Sequence, residues 1–366
     1  MKTELFHIIG YKCFADQIVN LGQLTILVGA NGNGKSSTIQ SLLLFKLAAS
    51  GQHTIDLNHA FGLRLGRFCD ILNPNSDGGE IKLSLLCADN RQEKATCLIK
   101  SCDSDESLYV QATYNSKEKD YLWYRQEIYY LSAEREGPRI SQDLVKLEYL
   151  NAGIHGENTA QAIAEKGSMT KVDEERMFDN TKNRNIDAQV NFWLDFIFPK
   201  ISVSSSINRD VLQARVKVSN SLYSDAFTTN MGFGVSYALP IIVDGLLAKR
   251  DSLFIVENPE AHLHPAAQTA MGYFLAKMSY AGVRIIVETH SDHLIDGVQL
   301  FVVKHGNWHN NVIINNYSIE DSEIQPKVEP IFMSNKGEYD RWPKGFMDQS
   351  QINYYNLQKY RRDEIK

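Results

Sequence analysis

Gly29-Ala30-Asn31-Gly32-Asn33-Gly34-Lys35-Ser36 is the stretch of this chain whose reading decides its fold. It satisfies every fixed position of the pattern G-x-x-x-x-G-K-[S/T], a loop whose backbone N–H groups cradle phosphate. The apolar run Leu24, Ile26, Leu27 and Val28 feeds the loop, and the residues from Lys35 into Ala48 read as a helix. Strand, glycine loop and helix are the context this motif requires. Gly29, Gly32 and Gly34 let the backbone curl so that successive N–H groups point inward, and the helix N-terminus adds its partial positive charge. Lys35 is expected to reach the β- and γ-phosphates of ATP, and the Ser36 hydroxyl to ligate the Mg2+ that bridges them. The expected nucleotide-binding run is Gly29, Ala30, Asn31, Gly32, Asn33, Gly34, Lys35, Ser36 and Ser37, the last serving the helix more than the ligand.

Composition narrows the class. The 366 residues are 43% hydrophobic, enough for a large core, and can form one elaborated domain or two ordinary ones. A net charge of −6 means that any DNA contact must come from a local patch or an oligomer groove. Five cysteines without C-x-x-C spacing point to reduced thiols and a cytoplasmic address, not to a disulfide frame. The strand-like N-terminus, with Glu4 and His7, lacks the apolar core of a signal peptide. No apolar run reaches the ~18 residues of a membrane span, so no membrane partner is expected.

Along the chain, Phe6 to Phe14 and Leu24 to Val28 read as strands. Alternation at Ile81, Leu83 and Leu85, then Thr96 and Leu98, then Leu108, Val110 and Ala112, predicts antiparallel hairpins. Ile128 to Leu131 is a strand opening onto Arg135 and Arg139, which bracket Gly137-Pro138. These guanidinium groups either aim at phosphate or an interface, or pair with Glu134 and Glu136. Residues 156–186 turn polar and predict an exposed helical arm or mobile insertion. Asn191 to Phe198 is an apolar helix whose Phe192, Trp193 and Phe196 belong to a core, and Val211 to Val218 alternates like a strand.

Two further strand-plus-polar units follow. Leu253-Phe-Ile-Val-Glu257-Asn258-Pro259-Glu260 places a carboxylate, Glu257, where a P-loop fold sets an acid beside Mg2+. Arg284-Ile-Ile-Val-Glu288-Thr289-His290-Ser291 repeats the design. Open α/β sheets bind ligands at the carboxyl ends of their strands, so the loop, Glu257 and His290 are expected to converge. Between the loop and these strands lies Gly232-Phe-Gly234-Val-Ser236, a second anion-binding turn before an apolar helix, Tyr237 to Ala248. One nucleotide rarely needs two such turns from one subunit. A dimer is therefore expected, in which Gly232, Gly234 and Ser236 cap the γ-phosphate held by the other protomer. His262, His264 and His293 lack a zinc-site spacing, and His264 with Pro265 is read as shaping the loop that meets the partner subunit.

With these motifs in view, the chain resembles stand-alone bacterial ABC-type ATPases, often labelled AAA, of the RecF, SMC and overcoming-lysogenization-defect lineage. The resemblance rests on G-Y-K-C-F-A-D before the loop, G-F-G-V-S, E-N-P-E-A-H-L-H-P and E-T-H-S-D-H-L. The tail from Gly337 to Phe346 is similar to a short uncharacterised C-terminal domain of one branch. The resemblance implies an α/β fold: an ABC-type P-loop ATPase head with an antiparallel β subdomain and a helical insertion. The expected divisions are 1–130 with 225–320 as a discontinuous core, 131–224 as the insertion and 321–366 as the C-terminal domain. It also implies ATP and Mg2+ as ligands, Ser36 and Glu257 at the metal, His290 as the switch histidine and a head-to-tail ATP-sandwich homodimer, with higher assembly open. Such a dimer would clamp or sense DNA and control a separately encoded effector such as a nuclease, in anti-phage defence. The alternative is a RecF- or SMC-like DNA-repair ATPase, although residues 150–200 are too short and irregular for coiled-coil heptads. A transporter subunit would need a glutamine loop, and none is recognisable. One departure matters: relatives with strong turnover carry Asp-Glu where this chain has Glu257-Asn258. Asparagine cannot take a proton from water, so hydrolysis is expected to be slow, with Glu260 as the substitute base.

Overall fold

The computed structural model describes residues 4–76, 78–117, 127–319, 325–343 and 345–363. The short apolar runs that flank the polar motifs become the centre of the main sheet. These are β3 (Leu24–Gly29), β13 (Leu253–Glu257) and β14 (Arg284–Glu288), joined by β8 (Ile128–Leu131), β15 (Val312–Ser318) and β16 (Lys327–Phe332). The strand order is β16-β15-β3-β14-β13-β8, parallel throughout except for the antiparallel β15–β16 pair. Parallel strands covered on both faces read as continuous apolar runs, and Leu253–Val256 and Ile285–Val287 are buried.

Side-chain alternation divides the interior. Leu253, Ile255 and Ile286 enter one apolar cluster, whereas Phe254, Val256, Ile285 and Val287 enter the other. The first cluster holds α1 (Lys35–Ala49) under an antiparallel sheet ordered β2-β1-β5-β6-β7-β4. Its strands are β1 (Glu4–Tyr11), β2 (Phe14–Leu21), β4 (Thr54–Asp56), β5 (Ile81–Cys87), β6 (Glu93–Ser101) and β7 (Tyr109–Ser116), with a one-turn helix α2 (Phe68–Ile71). The second cluster holds α3 (Thr159–Lys166), α4 (Ile186–Ile197), α5 (Phe233–Leu247), α6 (Pro265–Tyr280) and α7 (Asp292–Lys304). A small sheet of β9 (Gln142–Asp143), β10 (Ser202–Asn208), β11 (Gln213–Ser219) and β12 (Ala226–Phe227) adjoins it, and α8 (Gln349–Asp363) ends the described chain.

Helices α6 and α7 cross with their backbones nearly touching. A Cβ on Gly272 would lie 1.9 Å from the Leu294 carbonyl oxygen, and one on Gly297 would lie 2.0 Å from that of Thr269. This contact seats α7, which follows the His290 turn, firmly against α6.

Several expectations change. The single strand from Phe6 to Phe14 is a hairpin, because Lys12 turns the chain with φ 48°. In β6 the inward residues are Ala95, Cys97 and Ile99, not Thr96 and Leu98: a one-residue shift of phase exchanges the faces of a strand. Leu108 and Val211 precede their strands and stay exposed, at 48% and 56%. Residues 156–186 are not an exposed arm, since Ala160, Ala162, Ile163, Val172 and Ile186 are buried in the helical-side core. Trp193 is buried, but Phe192 and Phe196 lie at the rim, at 37% and 39% exposure. The boundary expected at 321 lies outside the described residues; beyond them, β16 pairs with β15 and Phe346 enters the main core.

Candidate functional site

The glycine loop runs from the carboxyl end of β3 to the start of α1. Gly34, the cap residue of α1, has φ 93°, and a Cβ there would meet Phe14 Cζ at 2.4 Å and Cys13 Sγ at 2.8 Å. Gly29, with φ 133°, lies so close to β15 that a Cβ would stand 2.2 Å from the Tyr317 carbonyl oxygen. Both positions need glycine for conformation and for space. Asn33 Nδ2 donates to the Tyr317 carbonyl at 3.2 Å, and Thr38 Oγ1 bonds the Tyr317 hydroxyl at 2.9 Å, which ties the loop to β15. The loop's shape is therefore built in. Lys35 Nζ donates to the carbonyl oxygens of Gly29 and Ala30, each at 2.9 Å, and lies 3.9 Å from Glu288. Burial lowers the pKa of this ammonium, and Glu288 opposes the shift.

Glu257 and Glu288 end adjacent parallel strands and oppose each other in register. They share strand parity with Ile255 and Ile286, so both face the α1 side. Strand β14 lies between β3 and β13, which brings Glu288 nearer the glycine loop than Glu257. The Ser36 hydroxyl lies 3.3 Å from both Glu288 oxygens, while Glu257 accepts a 2.7 Å bond from the Tyr130 hydroxyl. Two carboxyls in one buried place cannot both ionise freely. Desolvation is the larger cause and pushes Glu288 up to about 7, the neighbouring Glu257 adds to the rise, and Lys35 restrains it. Glu257 is raised by its burial as well, moderated by Tyr130 and Glu288. Glu288 was not singled out by motif reading. The available signal was a carboxylate at the end of an apolar run, one residue before Thr289-His290.

The turn after β13 is held by Arg135, which is 4% exposed. Its guanidinium donates to the carbonyl oxygens of Ser132, Glu257 and Asn258 and stacks over the Tyr237 ring with a centroid distance of 5.3 Å. Of the roles expected for Arg135 and Arg139, Arg135 clamps backbone, and Arg139 pairs with Glu136 at 3.2 Å. Asn258 has φ 45°, donates its N–H to the Glu288 carbonyl and leaves Oδ1 buried without a partner among the described residues. Glu260 accepts from Thr289 Oγ1 at 2.8 Å and from the His290 N–H at 2.7 Å, so both of its oxygens position the His290 turn. His290 itself is exposed, with its pKa lowered by desolvation and by Lys35.

Gly232 caps α5, and Ser236 lies in its first turn. Ser236 lines a pocket with Arg139, Arg215 and Thr228, separate from the one that Gly29, Ala30, Thr289 and His290 line together with residues 345–349. The start of α5 packs on His262, whose ring lies on Phe233 and Tyr237 at 5.2 and 4.6 Å, and Gly234 approaches the His262 carbonyl oxygen. His264 caps α6, accepting from the Ala266 N–H at 3.4 Å ahead of Pro265.

The donor set beside the loop is a hydroxyl and two carboxylates, all hard oxygen ligands. No three His, Cys, Asp or Glu side chains form a ready-made metal cluster among the described residues. This fits Mg2+, which binds through one or two carboxylates and completes its shell with phosphate oxygens and water. Ser36, Glu257 and Glu288 are the residues that would hold it.

Comparison with known proteins bears on the fold and the ATPase class. Residues 182–295 match the family described as AAA ATPase domain. No curated protein matches the chain. Among solved structures it is similar to an Smc head bound to the C-terminal winged-helix domain of ScpA, with 13% identity, a TM-score of 0.55 and coverage of 91% of this chain and 98% of that one. It is also similar to an Smc head with an extended coiled coil bound to the C-terminal domain of ScpA, derived from Pyrococcus furiosus, with 11% identity, a TM-score of 0.53 and coverage of 90% and 96%. No helix among the described residues is long and apolar enough to cross a membrane. The strand order, the glycine loop and these likenesses together give the chain the fold of an Smc-head-like, ABC-type P-loop ATPase.

Proposed function

We propose that this chain is an ATPase that binds ATP with Mg2+ at Gly29–Ser37, hydrolyses it slowly and works as a head-to-tail homodimer. The observation that carries this reading is spatial. The phosphate-cradling loop, the carboxylates Glu257 and Glu288 and the His290 turn share one edge of the sheet, while Ser236 lines a separate pocket. A composite site, in which Gly232, Gly234 and Ser236 of one protomer cap the γ-phosphate on the other, uses both. Slow turnover follows from Asn258, an amide at the position where a proton acceptor is expected, and from Glu260, whose oxygens hold the His290 turn.

In this reading the ATP-bound dimer is a nucleotide-gated DNA clamp or sensor that controls a separately encoded effector, such as a nuclease in anti-phage defence. Both Smc-head neighbours are bound to domains of ScpA, a separate protein, which supports the idea of a head that engages a partner. Light scattering with and without ATP and Mg2+, with phosphate release followed in parallel, tests the core of the proposal. An ATP-stabilised dimer with turnover below ~1 s⁻¹ is expected, against the usual enzyme range, and Ser236→Ala should weaken the dimer while sparing ATP binding to the monomer. Unchanged ATP-dependent dimerisation in Ser236→Ala would remove the composite site, and fast release without a partner would favour a repair ATPase or motor.

A further inference from the structure

We infer that Glu288, on the strand between the glycine loop and Glu257, is the carboxylate that holds, together with Ser36, the divalent cation accompanying the nucleotide. The inference deepens the proposed ATPase function and rests on it, because it assigns a residue to the cation of that same site.

The first argument is topological. Adjacent strands lie about 4.8 Å apart, and the order β3-β14-β13 puts the end of β14 one strand from the loop and the end of β13 two strands away. The pairing Glu288 to Leu27 sets Glu288 just below the loop that starts at Gly29, and its parity turns it towards α1. The second argument is contact. Ser36, the hydroxyl of the loop motif, reaches both Glu288 oxygens, and Lys35 is its nearest cation. Glu257 is bonded on its other side by the Tyr130 hydroxyl, and Tyr130 is only 8% exposed. The third argument is the substitution pattern within the site. Asn258 offers no carboxylate, while the strand that Asn258 N–H bonds to, β14, ends in one. The acidic pair of this site is thus spread across two strands, Glu257 and Glu288, instead of two consecutive residues on one.

The test is ATP binding measured by calorimetry in EDTA and in Mg2+, for the wild-type chain, Glu288→Gln, Glu288→Asp, Glu257→Gln and Ser36→Ala. Binding in EDTA reports the loop alone; the gain on adding Mg2+ reports the cation site. Glu288→Gln is expected to keep its affinity in EDTA and to lose the Mg2+-dependent gain by ~10–100-fold, the size seen when a group supporting a metal is removed. Ser36→Ala should do the same, and the double variant should be no worse than either. Glu288→Asp, which keeps the charge but shortens the reach, should retain part of the gain. Mn2+ paramagnetic resonance with ADP gives a readout independent of turnover, in which Glu288→Gln should weaken the bound-metal signal. A full Mg2+ gain in Glu288→Gln with a lost gain in Glu257→Gln would overturn the inference and give the cation to Glu257 alone. A wild-type chain that fails to bind ATP in EDTA and in Mg2+ would overturn the nucleotide reading itself, and this assignment with it.

Discussion

Replacing Glu288 with Gln should make the ligand-free protein more stable at alkaline pH, although it removes a residue of the site. The reason lies in where the carboxyl is kept. Glu288 is 6% exposed and opposes Glu257 across the β13–β14 pair. Burial, then the neighbouring carboxyl, raises it from 4.5 to about 7, even with Lys35 close by. The folded chain therefore holds a proton between those two values that the unfolded chain has released, so stability falls as pH rises from about 4.5 to about 7, and the whole cost stands above pH 7. A difference of roughly 2.5 pH units at 1.36 kcal/mol each is about 3 kcal/mol at most. Glutamine keeps the shape, accepts from Ser36 and offers Glu257 an N–H, without the charge. With an unfolding entropy of ~2.1 cal/mol/K per residue, a chain of 366 residues should gain about 4 °C in Tm. Scanning calorimetry in EDTA without nucleotide, at pH 5 and pH 8, measures it: the two proteins should melt together at pH 5 and separate at pH 8. A Glu288→Gln variant that melts lower at pH 8, or by the same offset at both pH values, refutes the reasoning.

Three other outcomes follow from the same geometry. Arg135→Lys should destabilise the chain by about 3 kcal/mol in denaturant titration, because an ammonium cannot serve three carbonyls and a ring at once; a loss under 1 kcal/mol would show that the clamp is dispensable. Gly34→Ala should cost about 2–4 kcal/mol by the same measurement, combining left-handed strain with the collision against Phe14 and Cys13. A neutral result there would mean that the loop adjusts freely. Lys35→Ala should weaken ATP binding by about 100-fold, or ~2.7 kcal/mol, in a fluorescence titration, having lost the charge-assisted phosphate contact; unchanged affinity would place the nucleotide elsewhere.

Much of this site was legible because its chemistry is local. A phosphate cradle is made by consecutive residues, so Gly29 to Ser36 could be read in line, and the apolar runs Leu253–Val256 and Ile285–Val287 announced buried strands ending in polar groups. Residues 156–186 misled because their apolar residues are mostly small and widely spaced, yet Ala160, Ala162 and Ile163 fit against larger neighbours contributed from elsewhere. The phase of β6 was ambiguous, since Thr96 and Leu98 alternate as well as Ala95, Cys97 and Ile99 do, and only pairing with β5 and β7 decides which set faces inward.

By itself, the sequence determined that a glycine loop stands between a strand and a helix and that two further apolar strands end in carboxylates, because such patterns need only neighbours in the chain. The tertiary structure alone decided that β14 enters the sheet between β3 and β13. That order, which depends on β14 pairing with β3 from the far end of the chain as well as with β13, set Glu288 against Ser36, while Glu257 is bonded to Tyr130. The folded chain also turned Glu260 to the His290 turn and gave Arg135 three backbone carbonyls instead of a phosphate. A side chain's role follows from what it touches, and each of these four residues touches groups that lie outside its own stretch of sequence.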